Sequence, residues 1–497
     1  MKLLSIRINL LLIFISLLTL VGCGAPAETT PLPSNTIAPT KEITSTEVPT
    51  PTATPSPTPT PLPMNGQQTQ YFIDATVNYY NRFVSVTSRT IYTNKTTKPI
   101  NEIIFIVYPT IFQNAIYIKS VKQGTSTLDY TWESHRMIIP LDEAVLPGEQ
   151  IEFTHDFELY MPDREGTFGQ TGRQLNLSYW FPFIPPRTDE GWEVYEISLV
   201  NSQIVGEHIV FESADFDVTL SFTDRRDKMS VAAGAIPHEE NEILHYQLKL
   251  ARTFTLSISD VFVVTSREID DLKILSYSFP EESGAGEAAA DIAVDAFTLY
   301  RQIFGSIERD LLTLVEADFL HGMEFDGIVF LSRGFYMFYD FTPKTNLTII
   351  VPHEISHQWF FSLVGNNQAM EPWLDEAIAT YSESLFYEEY YPELLPWWWE
   401  NRVNNQQPKG SIDNSIYIEG GYPAYLRSVY LNGANYYQDL RDTIGDQTFK
   451  EFLRYYIDEN RYQIAASDDY WRILSEISDA DLSALVNEYF TNPPTFP

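Results

Sequence analysis

A His-Glu-x-x-His sequence, from His353 to His357, places the strongest limit on the structure and chemistry of this chain. On a helix, residues four apart lie one above the other, so these two imidazoles can offer nitrogen atoms to one ion. Glu354 projects beside them without being needed as a ligand, and it can take a proton from water there. We therefore predict a helix that begins at Pro352 and carries a catalytic metal site. The alternative is a helix whose two histidines face solvent.

A third metal ligand is expected at Glu376, which follows His357 by 19 positions. It lies in Trp373-Leu-Asp-Glu-Ala377, which we interpret as the start of a second helix. A carboxylate there would complete a His/His/Glu site for one Zn²⁺ ion, with a fourth position open as in catalytic sites. In so acidic a chain, the alternative for Glu376 is a solvated surface glutamate.

The composition narrows the function classes. The chain has 497 residues, with 32 Lys and Arg against 67 Asp and Glu, so its net charge is −35. Such an acidic protein repels phosphate, and we expect no nucleic-acid partner. A hydrophobic fraction of 44% excludes a wholly disordered chain. The single cysteine excludes an internal disulfide, so stability must come from packing, to which a bound metal can add.

The N-terminal segment predicts export and a lipid anchor. Lys2 and Arg7 precede an apolar run that ends at Leu20 and is too short to span a membrane. The following Val-Gly-Cys23 completes a sequence similar to a bacterial lipobox, so residues 1–22 are interpreted as a signal peptide and Cys23 as the lipidated residue. An uncleaved anchor helix is the alternative. Either interpretation puts the rest of the chain outside the cytoplasm, attached to a bacterial membrane.

Two regions follow the signal peptide before the metal motif. Residues 23–68 hold the lipidated cysteine and a Pro/Thr-rich linker, which we interpret as an extended spacer. Residues 69–265 predict an antiparallel all-β domain, because apolar and polar residues alternate there, most clearly over Ile151–Leu159. His155 lies on the apolar face of that segment, and we expect it to be a core histidine.

The last region, residues 266–497, predicts an α+β domain that ends in helices. Glu287–Phe304 has the apolar spacing of a helix. Ile328–Leu331 and Leu347–Val351 are predicted strands. The fold class is therefore multidomain, with a β domain followed by the α+β domain that carries the metal motif.

The motif around His353, with Trp373-Leu-Asp-Glu-Ala377 downstream, resembles the aminopeptidase N family of gluzincin metallopeptidases. That family's signature is His-Glu-x-x-His, eighteen residues, then Glu within Trp-Leu-Asn-Glu-Gly. Asp375 and Ala377 depart from it and leave the ligand in place. The resemblance covers most of the chain after the linker. It implies a thermolysin-like zinc peptidase domain and an aminopeptidase that removes N-terminal residues from peptides. With the predicted export, those peptides are expected to be extracytoplasmic.

The resemblance also implies a substrate-binding edge strand. The family carries Gly-Ala-Met-Glu-Asn there, and its Glu binds the substrate's α-amine. His321-Gly322-Met323-Glu324-Phe325 occupies that place, so Glu324 is expected to bind the amine, with Gly322 and Met323 beside it. An edge strand suits this role because an extended peptide can add to it. A solvated glutamate on an ordinary edge strand is the alternative, and His321 is assigned no role.

A catalytic tyrosine is implied as well. Tyr430-Leu-Asn-Gly433 resembles the family's Tyr-Glu-Lys-Gly segment, whose tyrosine stabilises the tetrahedral oxyanion. We therefore expect Tyr430 to donate to that charge, as a phenol opposite the metal can. Only the tyrosine and the glycine match, and Tyr425 is the alternative.

Two departures leave other functions open. The family's β domain usually lends the amine a second carboxylate or amide near a Phe-Pro-x-x-Asp-Glu-Pro segment, whereas Trp180–Arg187 lacks the acidic pair and Gln170 is only a possible substitute. The chain also ends about 120 residues after Glu376, so we expect a short closing element and room for longer substrates. One alternative is therefore an endopeptidase on the same zinc site. The other is a catalytically inactive surface lipoprotein that binds peptides. The sequence does not indicate an oligomeric state.

Overall fold

The computed structural model describes residues 68–492, apart from residue 198, residues 201–202 and residue 205. The predicted signal peptide, Cys23 and nearly all of the predicted linker lie outside these residues. Among the described helices, none combines the length and the apolarity needed to cross a membrane.

The first half of the described chain consists of short and medium strands. In chain order they are β1 (Thr69–Asn78), β2 (Phe83–Thr93), β3 (Ile100–Ile106), β4 (Ile116–Gln123), β5 (Ser126–Thr127), β6 (Thr131–Glu133), β7 (Arg136–Val145), β8 (Gln150–Tyr160), β9 (Phe168–Gln170), β10 (Leu175–Leu177), β11 (Leu199–Val200), β12 (Gln203–Ile204), β13 (Ala214–Phe222), β14 (Ser230–Ala233), β15 (His238–Glu240), β16 (Ile243–Ala251) and β17 (Leu256–Ser259). A 3₁₀ turn, Tyr108–Ile111, follows β3.

These strands build a layered β domain. The main sheet has eight strands in the order β15-β16-β13-β1-β2-β8-β4-β5, antiparallel except for the parallel pair β1–β13. A four-stranded sheet, β14-β17-β10-β9, and a three-stranded sheet, β3-β7-β6, accompany it. Alternate side chains of the long strands enter the core, as the pattern of β8 predicts. His155 on that strand is fully buried, as expected.

The second half mixes strands and helices. Its elements are β18 (Val263–Ile269), β19 (Leu272–Ser278), α1 (Ser283–Phe304), β20 (Leu311–Ala317), β21 (Met323–Phe325), β22 (Ile328–Ser332), α2 (Arg333–Met337), α3 (Asn346–Ser356), β23 (Gly365–Asn366), α4 (Glu376–Tyr390), α5 (Leu395–Trp398), α6 (Tyr422–Tyr425), α7 (Asn432–Ile444), α8 (Asp446–Glu459), β24 (Ile464–Ala465), α9 (Ser467–Ile477) and α10 (Ser483–Tyr489). The 3₁₀ turns are Pro280–Glu282, Pro372–Leu374, Pro392–Leu394 and Asn404–Gln406, and the π-helical turns are Trp399–Val403 and Leu426–Leu431.

A five-stranded mixed sheet organises this catalytic region, in the order β18-β19-β20-β22-β21. The central strands β20 and β22 run parallel and are buried throughout, as parallel strands covered on both faces usually are. The short strand β21 lies at the open edge, antiparallel to β22. The predicted fold class, a largely antiparallel β domain followed by an α+β region ending in helices, is confirmed.

One predicted element is wrong. Leu347–Val351, predicted as a strand, lies in helix α3, and Pro352 lies inside that helix rather than at its start. The helix is buried on nearly every side, and its first turns, Leu347-Thr-Ile-Ile-Val351, are apolar except for Thr348. A run of that kind is shared by buried helices and buried strands, and periodicity alone does not separate them.

A buried polar cluster joins the β domain to the catalytic region. Arg252, which follows β16, donates from its guanidinium to the carbonyl oxygens of Phe361 and Gln463 at 2.5 and 2.7 Å. The backbone amides of Arg252 and Thr253 donate to Asp326 Oδ2 at 2.9 and 2.8 Å. Asp326 follows β21, so this cluster fixes the edge strand relative to the β domain.

Candidate active site

Helices α3 and α4 bring the three predicted ligands together. His353 and His357 lie at the end of α3, and Glu376 is the first residue of α4. The two Nε2 atoms are 3.3 Å apart, and Glu376 Oε2 lies 3.4 Å from that of His353 and 3.6 Å from that of His357. Asp375 accepts the amide hydrogen of Glu376, which fixes the start of α4. All three side chains are buried.

This geometry fits one zinc ion. Ligand atoms bound tetrahedrally at about 2.0–2.2 Å lie about 3.3–3.6 Å from one another, which matches the three separations. Glu376 Oε2 is also buried without a hydrogen-bond donor among the described residues, so an ion would supply its missing partner. The donor set of two imidazoles and one carboxylate is that of catalytic zinc sites, which leave a fourth position open.

Glu383, two turns after Glu376 on α4, orients the first histidine. His353 Nδ1 donates to Glu383 Oε1 at 3.0 Å. Arg402 and Trp398 donate to the same carboxylate at 2.8 and 3.1 Å. Such a contact fixes the ring and its tautomer, so that Nε2 faces the ion. Glu383 was not predicted from the sequence, although its spacing of seven from Glu376 puts it on the same helix face.

A backbone contact orients the second histidine in the same way. His357 Nδ1 donates to the carbonyl oxygen of Phe360 at 3.0 Å, which leaves His357 Nε2 free to face the ion. Both rings therefore direct Nε2 toward Glu376.

The charges in the triad are mutually stabilising. Burial disfavours the charged imidazolium, but the contacts of His353 with the carboxylates of Glu376 and Glu383 outweigh it and raise the pKa of His353 to about 9. Burial also works against ionised Glu376, and its contacts with both histidines reverse that effect and lower its pKa. The site thus favours an ionised carboxylate ligand.

Glu354 faces the edge strand from the same helix. A Cβ atom added to Gly322 would lie 1.9 Å from Glu354 Oε1, so only glycine leaves room for this carboxylate. Glu354 Oε2 is buried and has no hydrogen-bond partner among the described residues. Burial raises the pKa of Glu354 to about 8, although the two nearby histidines work in the opposite direction. A raised pKa suits a group that takes and returns a proton.

Glu324 lies on the edge strand β21, with Met323 before it. Gln368 Nε2 donates to Glu324 Oε1 at 3.1 Å and to Asp375 Oδ2 at 2.9 Å, which ties the strand to the start of α4. One carboxylate oxygen each from Glu324, Glu376 and Glu207 lie within 4.8 Å of one another. Glu207 comes from the β domain, and no local motif around it pointed to the site.

Tyr430 lies in the π-helical turn Leu426–Leu431, beside the first ligand. Its ring is nearly parallel to that of His353, at an angle of 9° and a centroid separation of 6.1 Å. Tyr425 meets Tyr430 edge-on at 5.4 Å and is fully buried, whereas Tyr430 is partly exposed. Of the two candidate tyrosines, Tyr430 is therefore the one that a substrate can reach.

Gly433, the glycine of the Tyr-x-x-Gly segment, sets the position of that tyrosine. A Cβ atom added to Gly433 would lie 2.3 Å from the Cβ atom of Ala377. Helix α7, which contains Gly433, therefore crosses α4 one residue beyond Glu376 at a distance that no larger side chain allows. The close crossing holds the turn with Tyr430 against the triad.

Gln170 and His321 are the other two residues that were considered from the sequence. Gln170 Nε2 donates to the carbonyl oxygen of Tyr79 inside the β domain at 3.1 Å. His321 is exposed, and its ring lies 5.8 Å from that of Tyr422. The β-domain residue at the carboxylate cluster is Glu207.

The His-Glu-x-x-His helix, the distant glutamate and the preceding β domain together define a gluzincin-type zinc site. Comparison with known proteins agrees: residues 304–489 match the model for the peptidase family M1 domain. This match supports the resemblance to the aminopeptidase N-like gluzincin family that the motif predicted.

Two curated relatives show how far the similarity extends. Aminopeptidase M1-D of Oryza sativa subsp. japonica is 27% identical over 44% of this chain and 27% of its own length. Aminopeptidase N of Lactobacillus delbrueckii subsp. lactis is 22% identical over 74% of this chain and 48% of its own length. The chain thus spans between about a quarter and a half of these relatives.

A solved structure shares the fold over most of the chain. It is that of a mutant M1 zinc metallopeptidase from Deinococcus radiodurans, which is 14% identical, with a TM-score of 0.61. The alignment covers 87% of this chain and 96% of that one.

Proposed function

We propose that this chain is a zinc-dependent aminopeptidase that removes N-terminal residues from peptides outside the cytoplasm, held at a bacterial membrane by a lipid on Cys23. The observation that carries the peptidase proposal is the position of Glu324. Its carboxylate lies on an edge strand within 4.8 Å of the buried triad's glutamate, where an added peptide strand would place its free amine.

The chemistry follows from side chains already in place. Zinc, when bound to His353, His357 and Glu376, polarises a carbonyl and lowers the pKa of water to about 7. Glu354 takes the proton of the attacking water and returns it to the leaving amine. Tyr430 donates its hydroxyl hydrogen to the oxyanion. Glu324 binds the substrate's ammonium group and so selects the first peptide bond.

The substrate class is tested with matched peptides. Purified protein should hydrolyse L-leucine p-nitroanilide and should not act on the N-acetylated compound, because acetylation removes the charge that Glu324 binds. Glu354→Gln should lower the rate about a thousandfold while the protein retains zinc, measured by atomic absorption. Equal hydrolysis of both compounds would support the endopeptidase alternative, and zinc binding without hydrolysis would support the inactive peptide-binding alternative.

The location has a separate test. The N-terminal sequence supports it, because the chain's single cysteine stands where a lipobox would use it. The wild-type protein should sediment with membranes and carry a lipid mass on its N-terminal peptide. Cys23→Ala should release the protein into the soluble fraction if lipid is its anchor, and unchanged sedimentation would indicate an uncleaved helix instead.

A further inference from the structure

A second polar cluster lies outside the candidate active site, at the carboxyl ends of the parallel strands β19 and β20. Ser276 pairs with Leu314 in the register of these strands, and the amide of Phe279 donates to Glu316 Oε2 at 2.7 Å. Ser276, Ser278 and Glu316 therefore project from the same face of the sheet, because alternate residues of a strand share a face. In open α/β sheets, this end of the parallel strands is where ligands bind.

The polar atoms of this cluster are buried and unpaired. Four oxygen atoms in it have no hydrogen-bond partner among the described residues: Ser276 Oγ, Ser278 Oγ, Glu316 Oε1 and Tyr336 Oη. All four residues are at most 2% exposed. Leaving buried polar atoms unpaired costs free energy, and a group bound between them would remove that cost.

Helix α1 closes over the cluster. A Cβ atom added to Gly286, near the start of α1, would lie 2.3 Å from Ser278 Oγ and 3.8 Å from Ser276 Oγ. Both hydroxyls therefore face the helix at a distance that only glycine allows. Tyr336 of α2 lies beside them: burial raises its pKa, the charge of Glu316 adds to that rise, and the hydroxyl of Ser276 opposes it. The unpaired oxygens of β19, β20 and α2 thus meet beneath the start of α1.

Glu316 has no positive partner of its own among the described residues. Two arginines lie nearby, and each already pairs with another carboxylate: Arg173 with Asp318 at 2.5 Å and Arg333 with Glu282 at 3.4 Å. Burial raises the pKa of Glu316 to about 8, although both arginines work in the opposite direction. Glu282 Oε2 and Arg333 Nε are also buried without partners among the described residues. The cluster therefore keeps a buried carboxylate whose charge nothing in the described chain compensates.

We propose that Glu316, Ser276 and Ser278 bind a Ca²⁺ ion, with Glu282 and Tyr336 beside it. Ca²⁺ takes carboxylate and other oxygen ligands, and the unpaired atoms of all five side chains are oxygens. Strand β20, which carries Glu316, leads through a short segment to the edge strand β21, so the ion would fix the start of that segment. The zinc triad contributes nothing to this site, and the proposal is therefore independent of the proposed peptidase function.

Thermal unfolding of the zinc-loaded protein tests the site. Extracellular calcium modules bind with Kd values of about 0.1–1 mM, so 5 mM CaCl₂ at constant ionic strength should raise Tm by about 2–4 °C. Glu316→Gln keeps the size of the side chain and removes its charge, so it should weaken calcium binding at least about tenfold and cancel most of the shift. The matched control is Glu281→Gln, which should keep the full shift, because the Glu281 side chain is 67% exposed.

A second variant and a local measurement keep the test independent of how well Glu316→Gln folds. Ser276→Ala combined with Ser278→Ala removes two hydroxyl oxygens and leaves the carboxylate, so this double variant should also lose most of the calcium-induced shift. Hydrogen exchange measured by mass spectrometry should slow on calcium addition at residues 317–322 of the wild-type protein, and in neither variant. Calcium held by exposed carboxylates elsewhere would act equally on all three proteins, so the difference between them reports this site.

Three results would overturn the proposal. The first is a wild-type Tm that calcium leaves unchanged, and the second is an equal shift in the wild-type and Glu316→Gln proteins. The third is a crystal structure, grown with calcium, that shows only water molecules between Glu316 and the two serines. An ion at that place with oxygen distances of about 2.3–2.6 Å would support it directly.

Discussion

Two groups of buried carboxylates lie in the catalytic region and at its contact with the β domain, and they differ in how their oxygen atoms are hydrogen-bonded. In the first group, which is Asp326, both carboxylate oxygens accept hydrogen bonds from the protein. Its Oδ2 accepts from the amides of Arg252 and Thr253, and its Oδ1 accepts from Ser362 Oγ at 2.6 Å and from Arg309 Nη2 at 3.3 Å. The chain itself provides every partner that this carboxylate needs.

The second group lies in the candidate active site, and its carboxylates have oxygens without hydrogen-bond donors. Glu207, Glu354 and Glu376 each keep one buried oxygen without a donor among the described residues. Leaving such atoms unpaired costs free energy, so folding gains nothing from this arrangement. The difference indicates that the first group fixes the two parts of the chain together, whereas we propose that the second is arranged to bind ligands such as zinc and water.

The largest expected difference between the two groups is in catalysis. Glu354→Gln should abolish nearly all hydrolysis, by about a thousandfold, because it removes the proton acceptor. Its free energy of unfolding should stay about equal, since the buried Oε2 atom that the substitution replaces has no hydrogen-bond partner among the described residues to lose. Steady-state rates and urea denaturation measure the two effects. A Glu354→Gln protein that loses stability along with activity would show that Glu354 belongs to the structural group.

Asp326→Ala should have the opposite profile. It leaves Arg309 and the amides of Arg252 and Thr253 without their acceptor, so we expect a loss of about 3 kcal/mol in the free energy of unfolding. Urea denaturation measures it, and zinc content corrected for the folded fraction should be unchanged. Glu324→Gln is the control, because it removes a buried carboxylate of the ligand group and should change stability by less than about 1 kcal/mol. Equal losses from both variants would remove the distinction.

The same contrast separates what the sequence could predict from what it could not. The triad was predictable because its geometry is local: a spacing of four on one helix, then a glutamate that begins the next one. The apolar run before His353 was misinterpreted, because a fully buried helix has no polar face to reveal its period.

Long-range packing produced the remaining parts. Glu207 precedes Glu376 by 169 positions and meets it only because the β domain lies against the catalytic region. Asp326 likewise takes its role from partners far along the chain. No periodicity or short motif encodes such a meeting. Glu383 is the exception, since its helix spacing was available and was not used.

Glu383 resembles Asp326, because side chains of the protein itself donate hydrogen bonds to its carboxylate, although Glu383 also contacts a predicted zinc ligand. It accepts from Arg402 and Trp398 and holds His353, so Glu383→Gln should weaken zinc affinity about 10- to 100-fold without removing a ligand. Competition with a zinc-responsive chelator measures this affinity. Glu388→Gln is the control on the same helix, because Glu388 is largely exposed and pairs with Arg441. A Glu383→Gln protein with wild-type zinc affinity would contradict the orienting role.

The smallest expected effect is that of His155. It is a buried polar side chain that belongs to neither group of carboxylates. Both ring nitrogens lack hydrogen-bond partners among the described residues, and the ring lies edge-on to Phe105 at 4.5 Å. Burial lowers the pKa of His155 to about 3, with Asp156 opposing the shift. Between pH 3 and 6.5 the unfolded chain therefore binds a proton that the folded chain does not, so stability rises with pH over this range.

Because of His155, the free energy of unfolding should fall by about 1 kcal/mol when the pH is lowered from 7 to 5.5. Urea denaturation at each pH measures this change. His155→Leu should flatten the pH dependence by that amount, because the variant has no proton to bind in the unfolded state. His238→Leu, at an exposed position on β15, should keep the wild-type slope. If His155→Leu also keeps it, His155 is protonated or hydrated in the folded protein, and an unpartnered polar group in this fold does not by itself mark a ligand site.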